Sequence, residues 1–150
     1  MAAGPVTVLD IALKKIGGGV IDLDSDTFAV VLTTNAQAIG ASFAGVSTNA
    51  VYSDLTAQVV GTGYTAGGDP MTGVTWTRSG GVVTFNADAS AWSALTATMK
   101  YAVIVRTTGG TPSDLLAFVD LETGDPAGRS SAGGDFIINW TGGLFTLSRA

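Results

Sequence analysis

Apolar residues along this chain recur in two different rhythms. Between residues 6 and 16 the spacing is three or four, so that Val6, Leu9, Leu13 and Ile16 share one side of a helix. Lys14 and Lys15 fall in its last turn, where positive charge suits the helix dipole, and Gly17-Gly18-Gly19 ends it. The expected organisation is a helix or extended arm over residues 1–19, then one domain over residues 20–150.

From Gly19 onward the rhythm is two. Residues 28–34 (FAVVLTT) are apolar and β-branched, and residues 74–78 alternate. Gly80-Gly81 then leads into residues 82–86, a hairpin pattern. The longest candidate strand is 94–107, with Leu95, Ala97, Met99, Tyr101, Val103 and Val105 on one face and Thr96, Thr98, Lys100 and Arg106 on the other. Residues 115–121 form a further strand after the turn-rich GGTPSD. Residues 135–140 and 144–148 read as a closing hairpin around Thr141-Gly142-Gly143. Seven or eight short strands marked off by glycine, with one helix at most, predict an all-β fold. Its expected form is an antiparallel β-sandwich of jelly-roll or Ig-like type. Residues 33–53 break the rhythm and read as a long loop, in which Ile39, Phe43 and Val46 are the large apolar side chains.

Composition narrows the function. Charged residues are only 13% of the chain, against a usual share of about 25%. Thr, Ser, Gly and Ala take their place, giving a weakly charged surface of the kind that is covered in an assembly. Seven scattered basic residues against twelve acidic ones leave a net charge of −5, which argues against nucleic acid as a partner. No run reaches the length of a membrane span, and the first residues lack the basic start of a signal peptide. The chain therefore reads as soluble and made in the cytoplasm. The sequence holds no cysteine and no histidine, which excludes disulfides, Ser-His-Asp and Cys-His catalysis and the usual zinc sites.

Three stretches mimic chemical sites. The segment 61–68, GTGYTAGG, looks like a dinucleotide loop, but breakers and a strand follow it where a phosphate-binding helix is needed. Asp22, Asp24 and Asp26 open like a calcium loop, yet Thr27 and Thr33 stand at the positions that require Gly and Glu. They are expected to form a solvated turn. Asp120 and Glu122, the latter the only glutamate, would share a strand face like a glycosidase pair. Trp76, Trp92 and Trp140 fit a core or an interface better than sugar stacking. Lys14 and Lys15 are poor bases for activating a serine. The expectation is a non-enzyme with no cofactor and no metal.

The ordered blocks 21–28 (IDLDSDTF), 52–55 (YSDL), 61–68 (GTGYTAGG), 83–88 (VTFNAD), 101–104 (YAVI) and 134–140 (GDFIINW) carry a resemblance. Together they resemble a family of small virion structural proteins of tailed bacteriophages. That resemblance implies a capsid decoration or cement protein on the outside of the shell, with the major capsid protein as partner and self-association as a trimer or dimer. A tail-associated or receptor- and glycan-binding fibre component is the alternative. It brings no catalytic or ligand-binding residues. Contact with the capsid or between subunits is expected through Val6, Leu9, Leu13 and Ile16 and through Ile39, Phe43 and Val46, because neither segment fits the strand pattern.

Overall fold

The computed structural model describes residues 4–37, 51–140 and 142–148. Its elements in chain order are β1 (Thr7–Val8), α1 (Asp10–Gly17), β2 (Thr27–Thr33), a single 3-10 turn (Tyr52–Asp54), β3 (Asp69–Pro70), β4 (Thr75–Ser79) and β5 (Val82–Asn86). These are followed by β6 (Ser90–Met99), β7 (Tyr101–Thr108), β8 (Thr111–Asp120), β9 (Arg129–Ile138) and β10 (Phe145–Ser148). The strands form a five-stranded sheet in the order β1-β8-β7-β2-β3, a three-stranded sheet β10-β5-β4, and a two-stranded ribbon β6-β9. Every strand pair is antiparallel. The expected all-β sandwich with a short N-terminal helix is the observed fold class.

The core sits on β2 and β7. All side chains of β2 from Phe28 to Thr33 are buried, and so are Ala102 to Val105 of β7, so both strands are covered on both faces. This is why they read as continuous apolar runs rather than alternating ones. Phe28 meets Phe85 of β5 edge-on at 5.2 Å between ring centres, and Phe85 in turn packs against Phe145 and Trp76. That aromatic stack joins the three-stranded sheet to the five-stranded one. On the ribbon, Trp92 packs on Phe136 at 5.9 Å, and Trp140 Nε1 donates to Ser90 Oγ in a buried hydrogen bond.

Four sequence expectations change. The N-terminal apolar residues do not share one helix face. Val6 precedes β1, which pairs through Thr7↔Phe118 and Val8↔Ala117, and Leu9 caps the helix in an extended conformation. The helix buries Leu9 and Ala12, while Leu13 is 45% exposed. An edge strand fixes the first residues by main-chain hydrogen bonds, which shifts the helix start and rotates its inner face. Second, the predicted strand 94–107 is two strands in two sheets, separated at Lys100. Third, the expected C-terminal hairpin does not form: β9 pairs with β6 and β10 with β5. Alternation fixes the faces of a strand and not its neighbours. Fourth, GGTPSD is a connector only over Gly109-Gly110, since β8 begins at Thr111.

Glycine pairs close two of the hairpins, the first of them as the sequence predicts. Gly80-Gly81 closes β4 and β5 with φ of 58° and 86°, and Gly109-Gly110 closes β7 and β8 with φ of 59° and 81°. Two residues at positive φ make the turn whose twist matches the strands, and glycine adopts it without strain.

Charges are few but organised. Asp114 on β8 accepts from Lys15 at the end of α1 (2.6 Å) and from Arg106 on β7 (3.1 Å). Arg106 also binds Asp26, in the turn before β2, at 2.6 Å. Burial pushes the Asp114 carboxyl up, but the hydrogen bonds from Lys15 and Arg106 outweigh it and hold the group below its usual range. Unfolded Asp114 therefore takes up a proton at a higher pH than the folded form does. Its contribution is full above the ordinary value of about 3.9 and is lost as pH falls through the lower folded value. Urea midpoints measured at neutral pH and at about pH 3 should fall less for Asp114→Asn than for the wild-type chain. Parallel losses would show that this carboxylate is not part of the acid response.

Candidate functional site

The glycine segment 61–68 is built on contact with its own protein. A Cβ added at Gly61 would lie 2.1 Å from the Thr96 carbonyl oxygen, at Gly63 2.5 Å from that of Ser93, and at Gly68 2.1 Å from that of Val30. The segment thus lies main chain on main chain across β6 at one end and β2 at the other. Thr96 N–H donates to Thr62 O at 2.9 Å, which ties it to the ribbon. Between these ends, the Tyr64 hydroxyl accepts from Leu32 N–H at 3.2 Å and donates to Gln58 Oε1 at 3.3 Å. Gln58 Oε1 also accepts from Gly67 N–H, and its amide donates to the Tyr52 hydroxyl. Burial pushes the Tyr64 hydroxyl well above its ordinary value, so it stays protonated. The segment runs on into β3 and β4 rather than into a helix. Glycine here serves close approach between strands.

The aspartate stretch is a closed turn. Asp22 N–H donates to Asp26 Oδ2 and Asp24 N–H to Asp22 Oδ1, each at 2.9 Å. The Asp24 N–H holds the Asp22 carboxyl below the usual carboxylate range. Asp26 spends its side chain on Arg106 as well. Among the described residues no group of three carboxylate, imidazole or thiol side chains is placed to hold a metal.

Asp120 and Glu122 sit beside a residue that the sequence pattern put on one strand face with Thr96, Thr98 and Arg106. Lys100 is 6% exposed, and its Nζ lies 2.9 Å from Asp120 Oδ1. Nζ also donates to the Glu122 carbonyl and, at 2.8 Å, to the Asp125 carbonyl. Glu122 follows the end of β8 and its N–H caps Asp120 Oδ1 at 3.0 Å. The clue available in the sequence is a lone lysine inside a long apolar run. Of the tryptophans, Trp92 and Trp140 are core residues and Trp76 lies partly buried over the aromatic stack.

Of the expected contact residues, Leu9 is fully buried in the protein's own core and Val6 and Ile16 pack against it, leaving Leu13 at the surface. Ile39, Phe43 and Val46 lie outside the described residues. The structure adds other exposed apolar side chains, notably Val60, Val20 and Ile137. Ile137 stands on the outer face of the β6-β9 ribbon, opposite Ala91. Further along, the cross-strand pairs on that face are Thr96 with Ala132 and Thr98 with Ser130, the latter joined by a 2.8 Å hydroxyl contact. This face is small, hydroxyl-rich and weakly charged. A separate hollow of about 370 Å³ opens between the glycine segment and the β7-β8 turn; Phe28, Pro70, Met71 and Pro112 line it, and none of its lining residues is titratable.

Comparison of the chain with protein-family models, with curated proteins and with solved structures returned no match.

The glycine segment yields a direct test. Gly61 has an ordinary backbone conformation, so Gly61→Ala probes steric contact alone and is expected to destabilise by about 3 kcal/mol. Gly80→Ala, at φ +58° with open space around it, should cost about 1 kcal/mol. Equal losses in urea unfolding would mean that the segment can lift away from β6.

Proposed function

We propose that this protein is a virion structural protein of a tailed bacteriophage that decorates the outer surface of the capsid and stabilises it. The single observation that carries this reading is the β6-β9 ribbon, whose outward face offers Ala91, Thr96, Thr98, Ser130, Ala132 and the 54% exposed Ile137. Side chains of this kind lose little conformational entropy on burial, and the charge among them, Asp135, already accepts the Ala94 N–H. They suit a broad contact repeated many times, in which many modest interfaces add through multivalency. The low charge of the whole chain and the ordered sequence blocks point the same way. The partner is the major capsid protein, and copies associate as trimers or dimers on the capsid symmetry axes. The protein is made in the bacterial cytoplasm and acts on the capsid surface, without catalysis and without a cofactor.

Copy number tests this against the alternative of a tail or fibre component. Decoration requires on the order of hundreds of copies per particle, whereas tail components number from about six to a few dozen. Quantified against the major capsid protein in purified particles, a ratio far below one per several shell subunits would remove the capsid reading. The contact face is tested by Ile137→Lys, with Leu13→Lys as companion. Ile137→Lys should weaken binding to undecorated capsids by about tenfold while leaving the thermal midpoint unchanged. Truncation of residues 1–19 is a poorer probe, because it removes Leu9 and Ala12 from the core.

A further inference from the structure

The Lys100 cluster places a buried amine beside a partly exposed carboxyl group, that of Asp120. The Lys100 side chain is 7% exposed and its Nζ lies 2.9 Å from Asp120 Oδ1. The carbonyls of Glu122 and Asp125 accept from Nζ and so fix its orientation. With two N–H bonds given to those carbonyls, one position on nitrogen remains, and Asp120 Oδ1 is the carboxylate oxygen within its reach. In the ammonium form that position is a third N–H; in the neutral amine it is the lone pair. Asp120 Oδ1 meanwhile accepts the Glu122 main-chain N–H at 3.0 Å, a donor placed where negative charge would develop on that oxygen. The Tyr101 ring lies 5.9 Å from Nζ and packs edge-on against Phe118, so the apolar side of the cluster is aromatic.

We propose that Lys100 and Asp120 condense in the folded protein to an intramolecular amide, an isopeptide bond between Nζ and Cγ. The step is complete in itself. A proton passes from Nζ to the carboxylate beside it. The Nζ lone pair attacks Cγ, the C–N bond forms, and the oxyanion of the tetrahedral centre faces the Glu122 N–H. A second proton moves from Nζ to the departing hydroxyl, the C–O bond breaks and one water leaves. No oxidant, metal or co-reactant enters, and no oxidation state changes. Fixed proximity supplies the driving advantage, as in other intramolecular reactions between oriented groups. The product ties the residue before β7 to the last residue of β8 and closes the hairpin into a covalent ring. The inference does not depend on a virion role.

Mass spectrometry of the purified full chain decides it. The intact wild-type protein, fresh or after prolonged incubation, is expected to be lighter than its sequence by one water. Trypsin should then fail to cut after Lys100, and residues 79–106 should be found joined to residues 107–129. Lys100→Arg and Asp120→Ala should keep the full sequence mass, while Asp120→Asn should lose ammonia in place of water. A wild-type chain that stays at full sequence mass overturns the proposal, whether or not the variants fold. So does a water loss that persists in Lys100→Arg.

Discussion

Burying an ammonium group is unfavourable by several kcal/mol unless its charge and all its N–H bonds are met. At Lys100 one carboxylate meets the charge and two N–H bonds go to main-chain carbonyls, all drawn from residues 120–125. The main chain of the same residue is equally committed, its N–H to Thr33 O and its carbonyl to Leu121 N–H. One residue thus joins the end of β2, the end of β8 and the loop beyond it. It also marks the point at which the chain leaves the ribbon and enters the five-stranded sheet. Gly128 completes the arrangement, since a Cβ there would lie 2.4 Å from the Met99 carbonyl oxygen. The strand exchange between sheets depends on this small polar knot, and the apolar core is arranged around it.

Elsewhere the fold relies on closeness more than on charge. The glycine segment 61–68 lets main chain rest on main chain over β2 and β6, and the aromatic stack from Phe28 to Phe145 holds β2 to the three-stranded sheet. Apart from Lys100–Asp120, the charge pairs among the described residues fall in one chain of contacts, Lys15–Asp114–Arg106–Asp26, which links α1, β8, β7 and the aspartate turn. Carboxylates that looked like ligands are therefore engaged in holding elements together. Most of the remaining surface is left to Thr, Ser, Ala and Gly, which is the basis for reading it as a contact surface.

Local signals in the sequence were dependable where one residue type dictates one conformation. The Gly80-Gly81 hairpin, the apolar run of β2 and the closed Asp22–Asp26 turn could all be read directly. The helix was legible as an element but not in its register, because the pairing of Thr7 and Val8 with a strand more than a hundred residues away decides where it begins. The break at Lys100 was hidden by alternation that continues smoothly from β6 into β7. Partners of β9 and β10 were out of reach for the same reason. As for the site, the glycine segment could be dismissed as a phosphate loop from the breakers that follow it. The meeting of Lys100 with Asp120 depends on a sheet exchange that no spacing records.

Pairing between strands far apart in sequence has a consequence for how the protein folds. Thr7 is partnered by Phe118, and Val82 by Ser148. The five-stranded sheet therefore needs residues 7 to 120, and the three-stranded sheet residues 75 to 148, before it can close. Until then Leu9, Phe28 and Phe85 have no complete core to enter. Such long-range pairing makes for slow folding and little stable partial structure. The local hairpins β4-β5 and β7-β8 can form early, but the pairings that close both sheets wait for residues far along the chain.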